Sequence, residues 1–176
     1  AARDAGDALP QTRTNNLITT PGNHEYTVDP LLTQYLGHFD YPENGPALRG
    51  ETVWFTDYQG VRFVSLNANA PLGGIDQALW LDRVLSDNPN KWTVVTFHQP
   101  IFSGSPGRDN LATRLVWLPI LEKHDVDLVL QGHDHTYARG YLASNETATG
   151  SQGPVYVVSN AGGKHYELAG AETNNC

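Results

Sequence analysis

The sequence predicts an α/β fold, a largely parallel sheet packed by helices, and three observations carry that prediction. Three short, almost continuously apolar runs at 92–97, 126–130 and 155–158 are rich in Val and have the length of strands covered on both faces. A helical pattern separates the first two, and the order strand, helix, strand selects a right-handed crossover between parallel neighbours. A length of 176 residues with 39% hydrophobic content suffices for one buried core and is too short for two ordinary domains.

Each element follows from local chemistry. Residues 1–16 are polar, lack a hydrophobic period and read as a frayed or truncated lead-in. Leu17-Ile18-Thr19-Thr20 is expected to form a short strand ending at Pro21-Gly22, which places Asn23, His24 and Glu25 on a loop at a strand's carboxyl end. A short helix is expected over 30–39, with Asp29 as its cap and Pro30 in the first turn. Residues 43–50 read as loop. The β-rich runs 53–58 and 61–66 flank Gln59-Gly60, the spacing of a two-residue hairpin. Ile75, Leu79, Leu81, Val84 and Leu85 recur at helical spacing and predict an amphipathic helix over 75–85. A second helix is expected over 110–123, kinked or restarted at Pro119. Residues 144–153 read as a mobile surface loop, and no internal repeat or interdomain linker is visible.

Composition disfavours several partners. Eleven Lys and Arg against nineteen Asp and Glu give a net charge of −8, which opposes nucleic acid and anionic membrane surfaces. Trp54, Trp80, Trp92, Trp117 and the eight Tyr accordingly read as core and rim packing rather than a base-stacking platform. The only Cys is Cys176, so neither an intrachain disulfide nor a cysteine cluster for zinc can form. The apolar run 115–121 is interrupted by Pro119, no stretch is long enough to span a bilayer, and no segment reads as a signal peptide. The sequence contains no Met and begins Ala1-Ala2-Arg3, so the native start is expected elsewhere.

Candidate chemistry rests on the histidines. His24, His98, His133 and His135 each follow a predicted strand, whereas His38, His124 and His165 do not. In a sheet whose strands point one way the carboxyl ends converge, so these four can line one crevice. Gly132-His133-Asp134-His135 is the sharpest piece. Residues two apart in an extended segment project to one side with Cα atoms about 6.6 Å apart, so both imidazoles can face a site while Asp134 points away. Two metals about 3.5 to 4 Å apart can each take one of them. Every signal also has a plain structural explanation: a surface His pair satisfies hydrogen bonds, His98 simply ends a strand, and Asn23 suits a tight Pro-Gly-Asn turn. Their occurrence together is what points to a site. Arg108, in Ser105-Pro106-Gly107-Arg108, reads as a solvated loop charge, with contact to a phosphate as the alternative. Tyr137 and Arg139 are expected to brace the double-histidine loop, and Asn145-Glu146-Thr147 fits the glycosylation sequon.

Gly22-Asn23-His24-Glu25, Val95-Thr96-Phe97-His98 and Gly132-His133-Asp134-His135 resemble the third, fourth and fifth signature blocks of the calcineurin-like metallophosphoesterases, with the order and spacing of the purple acid phosphatase branch. The resemblance implies a metallophosphoesterase-type two-sheet sandwich flanked by helices, with residues 17–176 as the carboxyl-terminal portion of the catalytic domain. It implies that Asn23, His98 and His133 share one metal, that His135 binds the other, and that His24 contacts the substrate phosphate and protonates the leaving oxygen. Neutral imidazole and an amide oxygen suit Zn, Fe or Mn. The implied cofactor is a dinuclear centre of Fe with Zn, Mn or Fe. The implied substrate is a small phosphate ester, chiefly a monoester, and the implied location is secreted or periplasmic.

The family's first two blocks, Asp-x-Gly and Gly-Asp-x-x-Tyr, supply the bridging Asp and most ligands of the first metal. Only 21 residues precede Gly22, and Asp4-Ala5-Gly6 with Gly6-Asp7 overlap, lie too close to Gly22 and lack the Tyr. Charge makes the same point. Two divalent cations bring a combined +4 into a pocket where Asn23, His98, His133 and His135 bring no carboxylate. The expectation is a metal-dependent phosphoric ester hydrolase, acid phosphatase-like, in the intact protein. This chain alone is expected to hold at most one metal, weakly, with little or no activity. Two rivals stay open: a non-catalytic pseudoenzyme or binding fragment on the same scaffold, and a single-zinc hydrolase using His98, His133 and His135 with an open fourth position.

Overall fold

The computed structural model describes residues 17–70, 74–160 and 162–168; the lead-in 1–16, with Asp4-Ala5-Gly6, lies outside them. Helices α1 (Asn23–Val28) and α2 (Thr33–His38) precede strands β1 (Trp54–Tyr58) and β2 (Val61–Ser65). Then follow α3 (Ile75–Ser86), β3 (Trp92–Phe97), α4 (Leu111–Lys123), β4 (Leu128–Gln131), β5 (Ala138–Gly140), β6 (Glu146–Thr147), β7 (Gly150–Ser151) and β8 (Val155–Val158). Six strands form one sheet in the order β1-β2-β3-β4-β8-β5. The central β2, β3, β4 and β8 run parallel, and β1 and β5 close the edges antiparallel. The expected α/β architecture is therefore present. The six-stranded layer is its main sheet, and the second sheet, among the described residues, is the two-stranded β6-β7 ribbon.

The β1-β2 hairpin turns on Gln59 and Gly60, at φ 50° and 80°, the pair of left-handed residues by which a two-residue turn matches strand twist. Helices α3 and α4 cover one face of the sheet. Trp80, Leu81, Val84 and Leu85 of α3 and Trp117 and Leu121 of α4 are buried with Val64, Val95, Phe97, Val129 and Tyr156. Phe97 meets Trp117 edge-on, with 4.9 Å between ring centroids. Both helices lie on the same side because β2, β3 and β4 are neighbours in order, and successive right-handed crossovers that advance in one direction stack on one face. The other face is accordingly less covered than the Val-rich runs suggest: Phe63, Val94, Thr96, Leu128, Val155 and Val157 are half-buried and Leu130 is 39% exposed.

Several local expectations are corrected. The buried stripe of α3 excludes Ile75 and Leu79, which are exposed, and includes Gln77. The Gln77 amide accepts from Asn67 N–H at 3.0 Å and donates to Asn67 C=O at 2.9 Å, and a polar side chain bonded at both ends can enter a core. Helix α4 runs through Pro119, which faces solvent, while Thr113, Trp117 and Leu121 hold the turns on either side against the sheet. Residues 17–22 are not a strand. They join the end of β2 through side chains, Thr20 Oγ1 donating to Leu66 O at 2.6 Å and Ser65 Oγ to Thr19 O at 3.2 Å, rather than through a backbone ladder. The helix expected over 30–39 is confined to α2, because Asp29 already closes α1 through its N–H to Glu25 O, while its carboxylate accepts from Gln34 N–H at 2.7 Å. Residues 144–153 form the β6-β7 ribbon, tied down by Glu122, whose carboxylate accepts from Asn145 Nδ2 and Tyr156 Oη, each at 2.6 Å. Among the described residues no helix is long and apolar enough to cross a membrane.

Candidate functional site

His98 directly follows β3, and Gly132-His133 directly follows β4. Phe97 and Gln131 are register partners in this parallel pair, and the ladder continues into the loops, Gly132 N–H donating to His98 O at 3.0 Å. The third member arrives from the amino-terminal segment. Asn69 Nδ2 donates to Pro21 O at 2.8 Å and seats the Pro21-Gly22 turn, so that Asn23 opens α1 over the strand ends. Asn23, His24 and Glu25 therefore start a helix rather than occupy a loop; the Gly22 N–H donates to Glu25 Oε2 at 2.9 Å and begins the first turn.

Three atoms converge there. Asn23 Oδ1 lies 2.9 Å from His98 Nε2 and 3.1 Å from His133 Nδ1, and the two ring nitrogens are 3.2 Å apart. With neutral rings these three contacts cannot all be hydrogen bonds. The amide oxygen only accepts, so each nitrogen facing it must carry hydrogen, and the nitrogen–nitrogen contact then opposes two N–H groups. A cation satisfies all three lone pairs at once. The edges also have the right size, since ligand bonds of about 2.1 Å arranged octahedrally give donor separations of about 3.0 Å. Burial pushes the His98 pKa down to about 4, helped by the neighbouring His133 and opposed by Glu25. The His133 pKa is also lowered, by burial first and by Arg108 second. Both rings are thus neutral near pH 7, the state in which imidazole binds a cation.

The remaining candidates are placed differently. His135 stands apart from the triangle: its Nδ1 is 3.2 Å from Lys164 O, and its ring stacks on Tyr166 at 4.7 Å. His24 is exposed on the first turn of α1, near enough for its charge to depress both His98 and His133. Asp134 turns away from the histidines into the protein, and Glu25 is committed to the start of α1. Neither carboxylate reaches the triangle, and among the described residues no group of three or more His, Cys, Asp or Glu side chains is assembled to hold a metal. His38 and His124 bond elsewhere, to Gln34 O and to the Asp82 carboxylate.

Arg108 is not simply a solvated loop charge; its Nε is 2.5 Å from Asp134 Oδ1. The double-histidine loop is braced by this pair and by Ser103 and Gly104, not by Tyr137 and Arg139, which point to solvent. The sequence signal for that brace was an acidic residue between two histidines, but its partners lie 26 to 31 residues away and no local pattern names them.

The profile of the calcineurin-like phosphoesterases matches residues 4–137. An uncharacterised protein of Mycobacterium tuberculosis is 31% identical over 160 residues, covering 77% of this chain and 30% of that protein. A phosphoenolpyruvate phosphatase of Allium cepa is 26% identical, covering 86% of the chain and 36% of its own length. The purple acid phosphatase of yellow lupin (Lupinus luteus) seeds shares the fold at a TM-score of 0.63 and 20% identity, over 77% of this chain and 27% of that one. The chain thus spans about a third of the length of the curated relatives it matches.

Proposed function

From the chain's membership of the calcineurin-like phosphoesterase family, a family of phosphoester hydrolases with dinuclear metal centres, we propose that it supplies half of such a centre to an acid phosphatase-like phosphomonoesterase. The observation that supports this reading is the triangle of Asn23 Oδ1, His98 Nε2 and His133 Nδ1, whose three contacts no arrangement of hydrogens satisfies together. Asn23, His98 and His133 would hold one metal, and His135 would offer Nε2 to the second. Metal bound there neutralises phosphate charge and makes water a competent nucleophile near neutrality. Because both ring nitrogens of the triangle are kept neutral by burial, they compete poorly for protons and leave their lone pairs available. His24, exposed on the first turn of α1, would be the group that protonates the departing alcohol oxygen. The substrate class is a small phosphate ester; on the resemblance to the purple acid phosphatase branch, the reading extends to a secreted or periplasmic protein with Fe, Zn or Mn as candidate metals.

Among the described residues the site carries no free carboxylate, so this chain alone should bind at most one metal, weakly, and turn over little ester. Metal analysis with a chromogenic phosphate ester tests this on the 176-residue chain, on a version extended at its amino end from its own gene, and on His98→Ala in both. Hydrolysis by the extended protein, lost in His98→Ala, is the expected result; full activity with two metals in the short chain would overturn the account of its missing ligands. The same lack of a carboxylate among the described residues favours a second reading, a non-catalytic binding module, which an extended protein that binds metal but does not hydrolyse the ester would support.

A further inference from the structure

Asp134 takes no part in the chemistry above, yet its side chain is 0% exposed and carries a complete set of partners. Its Oδ2 accepts the Ser103 hydroxyl and, at 3.1 Å, the Gly104 N–H; its Oδ1 accepts Arg108 Nε at 2.5 Å. All three donors belong to one turn-rich loop, 103–108, between β3 and α4. Immediately before Asp134, His133 sits at φ 65°, a left-handed conformation uncommon for a residue with a side chain and held here by the contacts around it. The tight turn is closed by Asp134 N–H on Gly132 O at 2.7 Å. That turn aims His133 Nδ1 at the triangle.

On the other side of Asp134 a second line of contacts reaches His135. The Arg108 guanidinium lies over the Tyr166 ring, 5.1 Å from its centroid, and Tyr166 stacks on His135 with 25° between the planes. The Tyr166 N–H donates to His135 O at 3.0 Å. Lys164 O, itself held by Asn160 Nδ2 at 2.7 Å, is the partner of His135 Nδ1. With Nδ1 donating, the lone pair is on Nε2.

We propose that Asp134 is the positioning residue for both flanking histidines: its buried carboxylate enforces the left-handed turn at His133 and orients His135 through Arg108 and Tyr166. This rests on the reading that these histidines face a metal, and it extends that reading to a residue outside the ligand set. Neutral removal of the carboxylate leaves three donors stranded, so the loop 103–108 and the His-Asp-His segment lose their common anchor.

The test uses the chain itself at one neutral pH, as wild type, Asp134→Asn, Asp134→Ala and Arg108→Gln. Nitrogen-15 correlation spectra of the imidazoles report ring tautomer and environment, and Co²⁺ titration reports affinity. His124, bonded to Asp82 of α3 at 2.6 Å, is the internal reference for an intact fold. Asp134→Ala should shift the His133 and His135 signals, leave His124 unmoved, and weaken Co²⁺ binding about ten- to a hundred-fold. Asp134→Asn keeps one acceptor oxygen and should recover part of that loss; Arg108→Gln should move His135 more than His133. Unchanged His133 and His135 signals, or a His124 signal that shifts along with them, would overturn the proposal. If Asp134→Ala does not fold, the Asn and Gln variants decide on the same criteria. If the wild type binds no Co²⁺, the metal reading fails, while the ring signals still uphold or sink the positioning role.

Discussion

A methyl group on residue 22 would sit 3.1 Å from His98 Cε1, 3.2 Å from its Nδ1 and 2.9 Å from the Glu25 carboxylate, so a side chain here makes the imidazole give by a few tenths of an ångström and displaces the Glu25 carboxylate. The same construction at Gly132 meets His98 Nδ1 at 3.5 Å, an ordinary contact. Gly22→Ala should therefore shift His98 within the triangle and weaken Co²⁺ binding up to about tenfold, the scale of a lost ligand support. Gly132→Ala should leave it nearly unchanged. Titration of the two variants side by side checks this, and equal losses would contradict the stated contacts. That Asn23, His98 and His133 come together was legible in the sequence, because each follows a recognisable strand end or turn. Asp134 was legible only as a residue pointing away, since the value of a buried carboxylate depends on donors that approach from another loop. Arg108 was misjudged for the same reason: a charge in Ser-Pro-Gly-Arg looks solvated until its partner is known.

The hairpin shows how one charged pair secures an element. Arg62 is buried in β2; its Nε and Nη2 reach Asp57 on β1 at 2.8 and 2.7 Å, and its Nη1 donates to Val84 O of α3 at 2.6 Å. The Arg62 guanidinium holds the Asp57 carboxyl below its ordinary value of 3.8. A carboxylate with a depressed folded-state pKa contributes stability that is fully present above pH 3.8 and is lost as pH falls through the folded value. Asp57→Asn should flatten the acid side of a stability-against-pH profile and cost about 1 kcal/mol at neutral pH, a modest figure because the carboxylate is partly exposed. Chemical denaturation across pH measures both. An unaltered acid limb would show that another group governs it. The hairpin, α3, α4 and the parallel strands were readable from turn residues and apolar runs. Residues 17–20 and 144–153 were not: the first is fastened by hydroxyl groups rather than a ladder, and the second depends on Glu122 of a distant helix.

At the scale of the whole molecule the α/β order was evident, but the uneven cover of the sheet was not. It follows from three neighbouring strands joined in one direction, and periodicity within a single strand does not report its neighbours' order. The triangle exists only when β3, β4 and α1 are assembled, so a cation that binds it binds the folded chain alone. Co²⁺ at ten times its dissociation constant should then stabilise the chain by about 1.4 kcal/mol, and His98→Ala should abolish that increment. Thermal melts with and without the ion test this; stabilisation that survives in His98→Ala would place the ion elsewhere. The distances along the chain add a consequence in time. His98 and His133 are 35 residues apart, after neighbouring strands, but Asn23 is separated from His98 by 75 residues and from His133 by 110, so the third member is the distant one. Closing loops of that size comes after local helices and hairpins have formed, which makes the meeting of Asn23 with the two histidines a late event on the folding path.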